Sequence, residues 1–131
     1  MLKKAVFATL ASAVLFAAPA LTVPAHAAGD AAAGQKVFNQ CKACHENEKG
    51  VNKVGPTLKG VVGRKAASVP DYKYSAAMIK KGEEGVVWDE ATLTEYLPNP
   101  KAFVPGTKMA FGGLKKPEDV ANVIAYLAAH P

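Results

Sequence analysis

Cysteine is scarce in this chain, with two among 131 residues. That excludes a scaffold of several disulfides and any structural metal site built from four cysteines. No segment recurs with a period of about 20–50 residues, which argues against a solenoid. Convincing polar–apolar alternation is also missing, and Val86-Val87-Trp88 is too short to build a sheet. What is present is a half-hydrophobic chain with its polar residues spread along it, the composition of a folded protein. The length suits one small domain, since domains commonly run to about 100–150 residues.

The first segment reads as a leader. Met1-Leu2-Lys3-Lys4 carries two positive charges, Ala5 to Ala18 carries none, and Pro19 and Pro24 precede Ala25-His26-Ala27. A basic start, an apolar middle and a small-x-small site make a secretory signal, with cleavage expected after Ala27. An uncleaved anchor is the alternative, but the apolar run is shorter than the roughly 20 residues that span hydrocarbon. Residues 28–131 then form a single domain. Lys3 and Lys4 are the leader's only charged side chains, so the net charge falls from +5 to +3 on cleavage. That is too weak by itself to imply nucleic acid, though a locally basic face can steer the protein to acidic partners.

Periodicity predicts an all-α domain with long loops. Asp30 can cap a helix on which Ala31, Gly34, Phe38 and Cys41 share a face. Residues 46–70 read as loop, Ser75 to Lys81 as a short helix ended by Gly82, and Asp89 as the cap of a helix stopped by Pro98. Residues 100–113 read as loop again. Pro117, Glu118 and Asp119 have first-turn chemistry, and Val120, Val123, Ile124 and Leu127 repeat at i, i+3, i+4, i+7. Loops this long in a small domain need a functional reason, and a buried ligand supplies one.

Cys41-Lys42-Ala43-Cys44-His45 is the C-x-x-C-H string of covalent c-type haem attachment. Two thiols three residues apart on a helical turn lie on one side and can bond two vinyl groups of a porphyrin edge, with His45 next to reach the iron. Zinc would want four ligands, and only His130 remains to join these three, at what reads as a solvated tail. A thioredoxin-like pair lacks its β-α-β setting, and a plain disulfide would close a loop too small to constrain much. Of the two methionines beyond the initiator, Met78 lies on a short helix, whereas Met109 sits in the Pro105-to-Phe111 loop, where turn residues can aim it. A neutral thioether favours reduced iron, so a His45/Met109 pair would raise the potential.

With these residues in place the sequence resembles a class I cytochrome c of the bacterial periplasmic, mitochondrial-like type. The resemblance also rests on Gly55-Pro56-Thr57-Leu58, Gly63-Arg64-Lys65, Tyr72-Lys73-Tyr74, Trp88, Tyr96-Leu97-Pro98-Asn99-Pro100, the Met109 loop and Ile124-Ala125-Tyr126-Leu127. It implies a cytochrome c fold in which terminal helices cross, Gly34 and Phe38 meeting Val123 and Tyr126, around one covalent haem c. It further implies that the Pro56 carbonyl orients His45, that Tyr96 bonds near the Met109 sulfur, and that Arg64, Tyr74, Trp88 and Thr107 hold the propionates. Two departures stand out: Met78 where many relatives carry a polar residue, and a longer Lys81–Gly85 stretch.

A six-coordinate iron leaves no position for a substrate, so the resemblance implies an electron carrier and not an enzyme. Lys36, Lys53, Lys101, Lys108, Lys115 and Lys116 are expected to ring the haem edge and dock acidic redox partners transiently. A quinol-oxidising membrane complex is the expected donor, and an oxidase, a reaction centre or a periplasmic enzyme the acceptor. The expected molecule is a periplasmic monomer that neither inserts in the membrane nor binds nucleic acid. Two readings compete: a haem enzyme or gas sensor in which Met109 is displaced, and a thiol oxidoreductase without haem.

Overall fold

Oδ1 of Asp30 accepts the N–H of Ala33 at 2.9 Å and starts α1, Ala31–Phe38. The structure, a computed structural model, describes residues 29–131, so the leader and its cleavage site lie outside the described residues. Gly34, Val37 and Phe38 form the buried face of α1. Ala31, expected on that face, is exposed: it stands at the first helical position with no preceding turn to shelter it.

The partner of α1 is the last helix, as the resemblance implies. The intervening helices are α2, Ala76–Glu83, α3, Glu90–Tyr96, and α4, Pro100–Phe103; the last is α5, Pro117–Ala128. Pro117 occupies its first turn with Glu118 and Asp119, and Val120, Asn122, Val123, Ile124, Tyr126 and Leu127 are buried. Where α1 crosses α5, a Cβ on Gly34 would overlap the Asn122 carbonyl, so only glycine permits this separation. Phe38 packs on Tyr126 with ring centroids 5.2 Å apart. Asn122 was not anticipated. Its Oδ1 accepts the Asp30 N–H at 2.8 Å and ties the entry of α1 to the middle of α5.

Ser75 caps α2 by accepting the Met78 N–H at 3.1 Å. Gly82 does not end this helix as expected. It lies inside α2, buried against the Ala66 carbonyl, and the chain leaves at Gly85, whose φ of 82° suits glycine. Asp89 caps α3 as its spacing predicts, accepting the Thr92 N–H at 2.8 Å. The stretch expected as loop from Pro100 holds the four-residue α4, because Asn99 accepts the Ala102 N–H at 3.3 Å and Pro100 sits where a helix needs no donor.

Among the described residues there is no strand, only an antiparallel bridge between Lys65 and Val87. Its flanking bonds, Ala66 N–H to Val86 and Trp88 N–H to Arg64, fix Trp88 relative to Arg64. His130 is not the solvated tail the sequence suggested. Its Nδ1 lies 2.7 Å from the Tyr126 carbonyl, its ring packs 4.4 Å from Tyr126, and its carbonyl accepts the Gly60 N–H. No helix among the described residues is long and apolar enough to cross a membrane.

Candidate functional site

Beyond Phe38 the chain stays in a turn that brings the C-x-x-C-H residues together. The Cys41 carbonyl accepts the N–H groups of Cys44 at 3.1 Å and His45 at 2.9 Å. Both cysteines are free; Cys41 is half-buried, Cys44 exposed. Burial, with Cys44 adding to it, raises the Cys41 thiol to about 11. Cys41 and Cys44 are thus presented on one turn, the first half-buried and the second exposed.

His45 is clamped by the chain that returns past it. Its Nδ1 lies 2.8 Å from the Pro56 carbonyl, which fixes the tautomer with hydrogen on Nδ1 and leaves Nε2 a lone pair. Burial pushes the His45 pKa below its ordinary value, which favours the neutral ring. Gly55 lies against this ring: a Cβ there would overlap its carbon and nitrogen atoms. The Gly55 N–H donates to the Cys44 carbonyl at 2.7 Å, so this glycine joins the returning chain to the cysteine turn.

Met109 is half-buried, and the Tyr96 hydroxyl donates to its Sδ at 3.7 Å. Tyr96 is held by Trp88, ring centroids 4.7 Å apart, and by Phe103 at 5.6 Å. Burial keeps its phenol up at about 12, so it is a donor throughout the physiological range. Thr107 Oγ1 accepts the Met109 N–H at 3.2 Å and shapes the loop.

Arg64 directs its guanidinium at the carbonyls of Thr57, 2.8 Å, and Lys59, 3.1 Å. It is half-buried and has no carboxylate partner among the described residues. Tyr74 accepts the Val69 N–H at 3.1 Å, and burial raises its pKa. Trp88 is buried.

All six lysines expected to dock partners are exposed. The structure brings two of them into one neighbourhood: Lys53 donates to the Lys42 carbonyl at 2.8 Å, while Lys108 donates to the Lys73 carbonyl and lies 4.4 Å from the centroid of the Tyr72 ring. The Tyr72 hydroxyl donates to the Val54 carbonyl, which links the two pairs. Lys36 lies in the last turn of α1, Lys101 lies on α4, Lys115 donates to the Pro98 and Gly112 carbonyls, and Lys116 precedes α5. No contact of theirs joins that group.

Sequence reasoning missed Glu46, Asn47, Asn52 and Asn122. Glu46 Oε1 accepts the N–H groups of Glu48 and Lys49, and Oε2 that of Val51 at 3.0 Å. The Lys49 N–H above all, helped by those of Val51, Glu48 and Gly50, holds this carboxyl down at about 2. Asn47 is buried and its Nδ2 has no partner; nothing in the structure explains it. Only Asn122 left a trace in the sequence, as a polar residue inside the apolar stripe of the last helix.

These residues fit a covalent haem. Two thiols share a turn with an imidazole, a thioether carries its own hydroxyl donor, and a half-buried guanidinium, held by two carbonyls, has no acid partner among the described residues. Leu58, Val62, Leu97, Phe103 and Phe111 pack on the core yet remain partly exposed, an apolar lining that a porphyrin would cover. Two cavities lie away from these residues. One of about 330 Å³ runs between α3 and α5 beside Leu114 and Ile124, and one of about 190 Å³ lies beside Ile79 and Gly82.

The fold and the donor set define a class: an all-α protein that binds one haem through thioether links. The comparisons place it within that class. The cytochrome c family profile matches residues 31–131, and the chain belongs to the cytochrome c family. It is 56% identical over 97 residues to the cytochrome c2 of Afifella marina, covering 73% of this chain and 78% of that one. To cytochrome c-554 of Methylosinus trichosporium it is 53% identical over 121 residues, 92% of this chain and 88% of that one. Among solved structures, cytochrome cH from Methylobacterium extorquens superposes with a TM-score of 0.70 at 53% identity, over 77% of this chain and 99% of that one. The protein carries one covalent haem c, attached through Cys41 and Cys44, and is an electron carrier, not an enzyme.

Proposed function

We propose that the protein is a periplasmic single-electron shuttle whose haem iron is ligated by His45 and Met109. The observation that carries this reading is the pair of orienting bonds, Pro56 carbonyl to His45 Nδ1 and Tyr96 hydroxyl to Met109 Sδ. Each fixes a soft or neutral donor that would otherwise rotate, and each leaves a lone pair for iron.

The haem supplies a centre that changes its charge by one electron. The protein's residues do the rest. Pro56 keeps His45 in one tautomer and raises its basicity. Tyr96 withdraws density from the Met109 sulfur and so favours the reduced state. Arg64, Tyr74, Trp88 and Thr107 are the proposed donors to the propionates, burial of acids being costly without them. Lys53 and Lys108, with Lys42 and Lys73, make the basic neighbourhood that meets an acidic donor or acceptor, and Lys36, Lys101, Lys115 and Lys116 add docking charge elsewhere on the surface. The basic leader and its Ala25-His26-Ala27 site support export to the periplasm, with cleavage after Ala27 and residues 28–131 as the working domain.

Met109→Ala tests the ligation. The oxidised parent holoprotein is expected to show the weak band near the red edge that reports sulfur–iron bonding. The variant is expected to lose it, to bind carbon monoxide and to drop in midpoint potential. An unaltered spectrum and midpoint would sink the proposal.

A further inference from the structure

We propose that Glu46 is a positioning residue of the redox centre, whose carboxylate ties the 46–51 turn so that Asn52 and Thr57 hold the Pro56 carbonyl on His45. The inference rests on His45 being an iron ligand, as argued above. Pro56 has no N–H of its own, so its place depends on its neighbours. Those neighbours lead back to one residue. The Leu58 N–H donates to the Glu46 carbonyl at 2.7 Å, and the Thr57 hydroxyl donates to the same carbonyl at 3.2 Å. The Thr57 N–H donates to Asn52 Oδ1 at 2.9 Å, and Asn52 Nδ2 donates to the Pro70 carbonyl at 3.1 Å.

Asn52 can do this only if the turn before it holds its shape. Residues 47 to 52 make no main-chain to main-chain hydrogen bond. Glu48, Lys49, Gly50 and Val51 are exposed, so packing does not hold them either. What holds them is the Glu46 carboxylate, with three N–H groups converging on its two oxygens. A charged acceptor with several donors makes stronger bonds than a neutral one. Glu46 thus acts at both ends of the loop: its side chain closes the turn, and its main chain receives the residues that follow Pro56.

The consequence is redox tuning. A firm Pro56–His45 bond makes the imidazole a better donor and stabilises oxidised iron. Loosening the turn weakens that bond, so the midpoint rises.

The test compares Glu46→Ala and Glu46→Gln with the parent, all as purified reduced holoproteins. It reads the exchange rate of the His45 ring N–H by NMR and the midpoint potential. In Glu46→Ala the exchange is expected to be about tenfold faster, because local opening controls it, and the midpoint higher. Glu46→Gln, which keeps an acceptor oxygen, falls between. Should Glu46→Ala fail to yield holoprotein, Asn52→Ala must show the same two changes. Parent-like exchange and midpoint in these variants would overturn the proposal while His45 ligation stood. A parent spectrum without imidazole ligation would overturn the reading beneath it instead.

Discussion

The Pro56 carbonyl stands 2.8 Å from Nδ1 of His45, and Gly55, the residue before it, has no side chain where the imidazole lies. The two facts are one constraint. The chain passes close enough to accept the ring N–H only because nothing projects from position 55. Gly55→Ala would force the ring or the chain to move. Overpacking of this kind costs about 1–3 kcal/mol. Thermal unfolding of the holoprotein should show that loss, together with a raised midpoint as the His45 bond lengthens.

Gly34 makes the same kind of prediction for the fold alone. A methyl at this position meets the Asn122 backbone, which cannot rotate aside as a side chain can. Gly34→Ala is expected to lose about 1–3 kcal/mol in denaturant titration. The spectrum of the surviving folded fraction should stay that of the parent, since Gly34 touches no ligand.

Tyr96→Phe removes the donor to Met109 and little else, because the ring remains packed on Trp88 and Phe103. The sulfur becomes a stronger donor to oxidised iron, so the midpoint should fall. With its pKa at about 12, the phenol contributes no pH dependence to the potential below about pH 11. Potentiometry of both proteins from neutral to pH 10 checks the two statements together.

Asp89 gives an acid limb. The Thr92 N–H, then the Thr92 hydroxyl, holds its carboxyl below the ordinary 3.8. A folded pKa below the unfolded one means stability fully present above pH 3.8 and lost as pH falls through the lower folded value. Asp89→Asn keeps the cap without the titration. Its stability should therefore fall less steeply below pH 4 than that of the parent, as acid titration followed by circular dichroism would show.

The lysine neighbourhood predicts a rate effect. Lys53→Glu and Lys108→Glu should each slow electron exchange with an acidic partner, and both should flatten its salt dependence. Lys116→Glu, outside that neighbourhood, should do less. Stopped-flow oxidation over a range of ionic strength measures all three.

Legibility in the sequence followed the range of the interactions. Asp30, Ser75 and Asp89 could be read as helix starts because a cap bonds three residues ahead, and the α5 stripe could be read because it repeats every turn. Gly82 misled for the same reason: glycine near a helix end is a local stop signal, but here it answers the Ala66 carbonyl from a distant loop. Pro100 misled differently, since Asn99-Pro100 is equally a turn and a helix start, and packing of the buried Pro100 decides.

The candidate site divides along the same line. Cys41, Cys44 and His45 lie within five residues, so their chemistry is written in the chain and independent of the fold. The acceptance of the His45 ring by Pro56, the approach of Tyr96 to Met109, the docking of Thr57 and Leu58 on the Glu46 carbonyl and the gathering of Lys53 with Lys108 each join separate segments. Those depended on the crossing of α1 and α5 and on loops pinned by side chains. Spacing along a chain fixes which groups can act as a unit within one turn, whereas contact between distant segments follows from how the buried faces pack.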